Sequence, residues 1–400
     1  MMRLFQILMC FLLYTPSLSL AAEHLSLVQF LEQARTQNLT LKIDTAESAA
    51  AEADSGNIAI PTPMVGTSQM QMETGSKANG FEISQTIPFP TKVTNDRSAR
   101  KYQAQAKAAQ KKNTETEVVA QARFIYFKIW QTQERLNLLG ERKSAIERHL
   151  KLSTAAARSD SFMKVHLLKT ESDLDMLDND LIQAEQNHRD SIIQAAMFLD
   201  RNPKQFDPVV DSLTLSTLPK EESLNSPYRL EVKKYQLQEL QARESEAKSS
   251  WLPDFNLKYR EMERTSMIPQ YSEVMVSMSL PFVFFWGPNS ASNKATAERS
   301  GAEYRLQLEK RNVESAVTSV YSRAKNLKQQ IDLINEKLIP RAEKRMRLLH
   351  NLAPRDMETL IEHREVLEEI PNLKLKLLEL RSLYEESVMQ LQVFSRGAQE

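Results

Sequence analysis

The stretch Ile83–Pro90 reads ISQTIPFP, and 193 positions further on Val276–Val283 reads VSMSLPFV. Each has an aliphatic residue, Ser, two variable residues, an aliphatic residue and then Pro-Phe. Alternating apolar and polar side chains closed by proline describe a strand that stops, because proline offers no N–H to the ladder. The flanking sequence repeats as well. Pro61 matches Pro253, Pro88 matches Pro281, and TNDRSA (Thr94–Ala99) matches PNSASN (Pro288–Asn293), at offsets of 192 to 195 residues. That interval is too long for a solenoid unit and reads as a duplicated half.

Beyond each phrase lies a helical pattern. Val118, Ala122, Ile125, Ile129, Thr132, Leu136, Leu139, Ile146 and Leu150 follow alternating steps of four and three, with Lys143 the one lapse. An offset of 195 brings Val313, Val317, Val320, Ala324, Leu327, Ile331, Ile334 and Leu338 into the same steps. A 3.5-residue period packs helices in coiled-coil fashion.

The expected order is therefore a first repeat over 22–201, with a short helix, strands over 64–73 and 81–89, a long helix over 93–153 and a helix over 162–200. A linker rich in Pro, Ser and Asp covers 202–227. The second repeat, 228–395, has a helix, strands over 252–262 and 272–282, a long helix over 289–352 and a final helix over 357–394, before a tail at 396–400. The fold class is mainly α with a small β part. Each long helix extends roughly 90 Å at about 1.5 Å per residue and needs partners along its length. Pro340 and Pro371 fall inside helices and mark irregularities.

The strands alternate clearly. Phe81, Ile83, Ile87 and Phe89 oppose Glu82, Ser84 and Thr86, while Val274, Val276, Met278, Leu280 and Phe282 oppose Glu273, Ser277 and Ser279. In the first strand Met64, Met70 and Met72 oppose Thr67, Gln69, Gln71 and Glu73, the methionines reading as the lipid or core side. In the third, Phe255, Leu257 and Tyr259 oppose Asp254, Asn256, Lys258 and Arg260. All four have about the nine to eleven residues of a tilted transmembrane β-strand. Aromatics gather at two levels as a girdle would: Phe89, Phe282, Phe284, Phe285 and Trp286 at one, Phe81 and Tyr271 at the other. Pro88, Pro90, Pro281 and Pro288 are the candidate hinges between strand and helix. The competing reading is two soluble hairpins whose apolar faces rest on the helices. Export, strand length and fourfold recurrence favour the membrane. Four strands cannot close a barrel and lipid does not tolerate open edges, so several copies share one; three chains make twelve strands.

Composition narrows the function. The 400 residues hold 52 basic and 52 acidic side chains, a net charge of zero that argues against nucleic-acid binding. Only 8 residues are Gly, which speaks against an enzyme built on phosphate loops. Arg3, the apolar run Leu4–Tyr14 and TPSLSLAA have the order of a secretory signal peptide over 1–21, with cleavage expected after Ala21. The one cysteine, Cys10, lies inside that signal, so neither a disulfide nor a lipid anchor is expected. No segment has about 18 consecutive apolar residues, the length of a membrane-spanning helix.

Chemistry-bearing motifs are absent. The six histidines form no HExxH or paired spacing, although His166 and His363 occupy similar places in the two repeats. Met64, Met70, Met72, Met262, Met267, Met275 and Met278 could present soft thioethers to Cu(I). Most of them alternate with polar residues as core or lipid-facing side chains do, so no metal, cofactor or catalytic role is read here.

The sequence resembles the TolC-like outer-membrane efflux protein family over nearly its whole length, from Leu25–Ala53 to Leu383–Gln392. QTIPFPTK (Gln85–Lys92) is similar to that family's strand-to-helix phrase, and LIPRAEKRMRLL (Leu338–Leu349) to its segment before the second helical turn. The resemblance implies a homotrimer whose strands share a twelve-stranded outer-membrane barrel above a long periplasmic α-helical barrel. It implies a passive exit duct of a tripartite efflux or type I secretion system, docked to a periplasmic adaptor and an inner-membrane pump. By the same resemblance, charged residues near the helical turns narrow the periplasmic entrance; Asp160, Arg355 and Asp356 are the candidates. The chain departs from the family at Thr91, where Gly is usual, and at ARSD (Ala157–Asp160) and LAPR (Leu352–Arg355), where Tyr-x-x-Gly is common. The rival from another class is a periplasmic adaptor or scaffold with long coiled-coil hairpins, which usually has one hairpin rather than a duplicated pair. A plain diffusion porin is disfavoured by the helical content.

Overall fold

In the computed structural model both Pro-Phe phrases end strands and lead into long helices; it describes residues 23–71, 77–156, 161–224, 227–264, 269–284, 286–350 and 357–395. The order is β1 (Glu23–Leu25), α1 (Leu27–Gln37), α2 (Leu39–Ser55), β2 (Met64–Gln71), β3 (Lys77–Ile87), α3 (Pro90–Ala156) and α4 (Ser161–Phe198). There follow β4 (Pro208–Val210), α5 (Tyr228–Ser249), β5 (Phe255–Met262), β6 (Tyr271–Met278), α6 (Trp286–Leu333), α7 (Ile339–His350) and α8 (Met357–Gln392). The signal segment 1–21, the tail 396–400 and the turn residues Asp160, Arg355 and Asp356 lie outside the described residues. Helix α3 has 67 residues, roughly 100 Å at about 1.5 Å each.

The irregularity expected at Pro340 is a π-helical turn, Ile334–Leu338, between α6 and α7, in which the Ile339 N–H donates to the Ile334 carbonyl. Proline has no N–H for the carbonyl one turn back, and a wider turn just before it absorbs the mismatch. At Pro371 no interruption appears: α8 continues through it.

Contacts divide the chain into two compact units, each drawing on segments from both sides of 202–227. The first comprises Met1–Asn38, Val118–Leu218 and Ser322–Met389. In it α1 begins with a capping box, in which Ser26 Oγ accepts from the Gln29 N–H at 3.3 Å and Gln29 Oε1 accepts from the Ser26 N–H at 3.0 Å. Its core joins Phe30 and Ala34 to Val118, Ala122, Ile125, Tyr126 and Ile129 of α3, closed by Ala195, Ala196, Leu199 and Phe206. Further along, Leu139 and Ile146 pack with Leu177 and Ala184 of α4, following the predicted seam. The lapse at Lys143 is filled by an ion pair to Asp178 at 2.7 Å, and this partner raises the lysine's pKa.

Residues 202–227, expected as a linker, are built into this unit as far as Leu218. β4 pairs in parallel with β1, with His24 opposite Val209. The Tyr126 hydroxyl donates to the Leu25 carbonyl at 2.8 Å and accepts from the Asp211 N–H at 3.0 Å. Arg381 donates to the Leu213 carbonyl at 2.7 Å and lies over the Trp130 ring at 4.6 Å. Tyr384 donates to the Ser216 carbonyl at 2.9 Å, and Glu385 accepts from the Ser216 N–H at 2.8 Å. A segment lacking apolar periodicity is thus satisfied by polar side chains reaching from α3 and α8.

The second unit comprises Leu39–Glu117, Pro219–Tyr321 and Gln390–Glu400. Its helices bury several alanines, Ala99, Ala106 and Ala109 on α3 and Ala295 and Ala302 on α6, beside Leu41, Val232, Val313 and Val317. Ion pairs surround them: Arg100 with Asp54 and Asp96, both at 2.8 Å, Lys107 with Glu47 at 2.6 Å, and Arg299 with Glu244 at 3.1 Å. Thr114 hydrogen-bonds Asp44. The remainder of the unit is its antiparallel sheet.

Candidate functional site

The sheet has the order β2-β3-β5-β6, so each predicted hairpin forms and β3 pairs with β5 to join them. Register sorts the side chains by face, since alternate residues of a strand point oppositely. Val65 lies opposite Ile83, Ile83 opposite Tyr259, and Tyr259 opposite Val274. Phe81, Ile87, Phe255, Leu257, Val276 and Met278 share that face by their spacing, and the rings of Phe81 and Tyr259 lie 6.0 Å apart. All of these but the half-buried Tyr259 are exposed, Val65 by 74% and Val276 by 69%. The apolar face therefore does not rest on helices of the same chain, as soluble hairpins would require.

The opposite face is charged. Glu82, Arg260 and Glu273 lie in one row across β3, β5 and β6. Glu82 takes Lys258 at 2.7 Å and Arg260 at 3.3 Å, and Arg260 also reaches Glu273 at 3.7 Å. Opposite charges on directly facing positions pin strand register as well as neutralising one another. Asn256, Ser277 and Ser84 continue this polar surface.

Two sequence assignments change face. Met64 lies opposite Ser84 and Met70 opposite Ala78, which puts both methionines on the side of Glu82 rather than on the apolar side. The Thr, Gln and Ser content of β2 left its own polarity ambiguous, and only pairing resolves it. Tyr271 lies opposite Met262 and shares the face of Glu273. Phe81 and Tyr271 are therefore near one level but on opposite faces, and Phe81 alone of the two can join an apolar girdle. Phe285 lies outside the described residues, and the side chains of Phe282 and Phe284 are likewise not described.

At the first junction Pro88 follows β3 directly and Pro90 opens α3, the first helical position where its missing N–H costs nothing. Phe89 between them is half-buried. At the second, Pro281 opens a 3-10 turn, Pro281–Phe284, before α6 begins at Trp286, and Pro288 lies in the first turn of α6. The residue that ties this region together was not singled out from the sequence. Asp254 Oδ1 accepts from the Phe89 N–H at 3.1 Å and from Lys92 Nζ at 2.8 Å. Its own N–H donates to Ser279 Oγ at 2.8 Å, and its carbonyl accepts from the Ser279 N–H at 2.9 Å. One residue thus connects the start of α3, through its side chain, with the approaches to β5 and β6, through its backbone. Its signal was the Pro253-Asp254 pair, which ends a helix and begins a strand. Asp254→Ala is expected to cost about 1–2 kcal/mol and to speed tryptic cleavage after Lys92, as loss of a charge-assisted bond to a half-exposed group would. Cleavage at the wild-type rate would remove Asp254 from this role.

Among the described residues no group of three or more His, Cys, Asp or Glu side chains is arranged to hold a metal ion, and no helix is long and apolar enough to cross a membrane. No protein-family model matches the sequence, and no curated protein matches it. Solved structures do. The outer-membrane channel OprN superposes with a TM-score of 0.76 at 13% identity, over 93% of this chain and 90% of that one. The Campylobacter jejuni CmeC outer membrane channel gives 0.73 at 14% identity, over 92% and 85%. The open state of the Neisseria gonorrhoeae MtrE outer membrane channel gives 0.75 at 13% identity, over 92% and 88%. At these identities the likeness speaks for architecture: this chain has the TolC-like fold seen in solved outer-membrane channels.

Proposed function

We propose that the chain is one protomer of a homotrimeric exit duct in the outer membrane. It would conduct substrates passively from an inner-membrane pump and its periplasmic adaptor to the exterior. The observation that carries this reading is the sheet with one exposed apolar face, one charged face and two unpaired edges. Among the described residues β2 and β6 each have a strand neighbour on one side only. In lipid every edge N–H and C=O needs a partner, and a further copy of the same sheet supplies it. Three copies close a twelve-stranded barrel with the apolar face on lipid and the row of Glu82, Arg260 and Glu273 lining water. Exposed Val165, Leu168, Met176 and Ile182 on α4 supply apolar surface for neighbouring copies. Asp160, Arg355 and Asp356 are retained as the proposed lining of the periplasmic entrance.

The test is a pair of arginine substitutions on adjacent residues of β6. Val276→Arg places a charge on the proposed lipid face, where the cost is about 2–4 kcal/mol near mid-bilayer, and is expected to lower membrane-inserted trimer more than tenfold. Ser277→Arg points into the proposed lumen and should insert normally while shifting ion selectivity towards anions in planar bilayers. Wild-type protein that is soluble and non-conducting, or equal insertion of both variants, sinks the proposal.

A further inference from the structure

Three histidines that form no motif in sequence converge in space. His149 of α3, His166 of α4 and His363 of α8 lie within about two turns of the described ends of their helices. His149 is 2% exposed. Its Nε2 lies 3.1 Å from His166 Nε2, with the ring planes at 83°. The His363 ring stacks on His149 at 6.3 Å between centroids, with planes 18° apart. His149 Nδ1, on the far side of its ring, has no hydrogen-bond partner.

Two imidazole nitrogens at this separation share one proton. With none, two lone pairs face each other; with two, whether both rings are neutral Nε2–H tautomers or cations, the facing N–H groups collide. The surroundings disfavour a positive charge on either ring. From α8 the trio faces Arg364, and from α4 it faces Lys169. Among the described residues the carboxylates beside Arg364 are already engaged: Arg364 is bound to Asp173 and, at 3.3 Å, to Glu368, which Arg142 of α3 also approaches at 3.7 Å. Neither is left to neutralise a histidinium.

We propose that His149, His166 and His363 form a clasp that holds α3, α4 and α8 together while neutral and releases them on acidification. The direction follows from linkage. Burial first, then His166, Arg364 and His363, lower the His149 pKa to about 4, and burial with Arg364 and Lys169 lowers that of His166. A base whose folded pKa lies below its ordinary value of about 6.5 binds protons better when the helices part, so the clasp is fully effective above about pH 6.5 and weakens as pH falls towards about 4. It goes beyond the exit-duct reading and would hold for a chain that conducts nothing.

Hydrogen exchange on the full chain in detergent tests it. The opening constant for amides of Glu141–Leu150, corrected for intrinsic exchange, is expected to rise on the order of ten- to thirtyfold between about pH 7.5 and pH 5. Amides of Ala120–Ile129 should not change. His149→Gln and His166→Gln should each remove most of the rise, and the less buried His166 position keeps the test available should the first variant fold poorly. Equal wild-type opening at the two pH values overturns the proposal. So does a rise that survives in the folded variants, which would assign the effect to carboxylates such as Asp173 and Glu368.

Discussion

Replacing Gly80 with valine is expected to abolish the four-stranded sheet and, with it, any membrane-inserted oligomer. A Cβ at this position would meet the Glu261 carbonyl oxygen at 2.2 Å and Met262 Sδ at 2.5 Å, where β3 and β5 come together. The first of these neighbours is backbone already committed to the pairing, so it cannot move aside without parting the strands. Overpacking a soluble core costs about 1–3 kcal/mol when side chains can shift. Here the cost exceeds that range, and more than ten times less detergent-stable oligomer is expected on unheated gels. Gly66→Val is the matched control. Its Cβ would meet only Glu82 Cγ at 3.7 Å, an ordinary contact, and assembly should survive. If both variants assemble alike, the close approach of β3 and β5 is not a requirement of the fold.

The second large effect concerns Tyr126. Its ring is fully buried, 0% exposed, and stands 5.7 Å from Phe30 in an edge contact. Truncating an aromatic side chain of this burial costs about 3–5 kcal/mol. Tyr126→Ala is therefore expected to lower the thermal midpoint strongly and to free the segment around Asp211 to proteases. Tyr126→Phe keeps the ring but strands the Leu25 carbonyl and the Asp211 N–H, at about 1–3 kcal/mol. A phenylalanine variant as stable as wild type would show that the hydroxyl does not secure the segment. An alanine variant as stable as the phenylalanine one would deny the ring its part in the core.

Much of this architecture is legible in the residues. The doubled Pro-Phe phrase marks both strand ends, because proline terminates a ladder whatever the surroundings. The steps of four and three through Val118, Ile125 and Ile146 mark the seams, and Pro340 marks the π-helical turn. Three things are not legible, each for a physical reason. β1 and β4 are three residues each and pair in parallel across the chain, too short to carry a period. The faces of β2 and the side taken by Tyr271 depend on register, which mixed polar composition does not encode. The grip of Asp254 on Phe89 and Lys92, like the meeting of His149, His166 and His363, arises from separate elements, and no local spacing announces it. Site residues expected at the turns, Asp160, Arg355 and Asp356, lie beyond what is described.

The central pairing of the sheet also governs when it can form. Glu82 and Arg260, partners across β3 and β5, are 178 residues apart in sequence. A chain emerging from its N-terminus carries the β2–β3 hairpin with an unsatisfied edge until nearly two-thirds of its length has appeared. Closing so long a loop is slow, since its entropy must be lost before any contact rewards it. Through that interval the exposed apolar strands invite mispairing with other chains. Until the second hairpin arrives the first keeps that edge open, and the duplicated design makes the waiting time unavoidable.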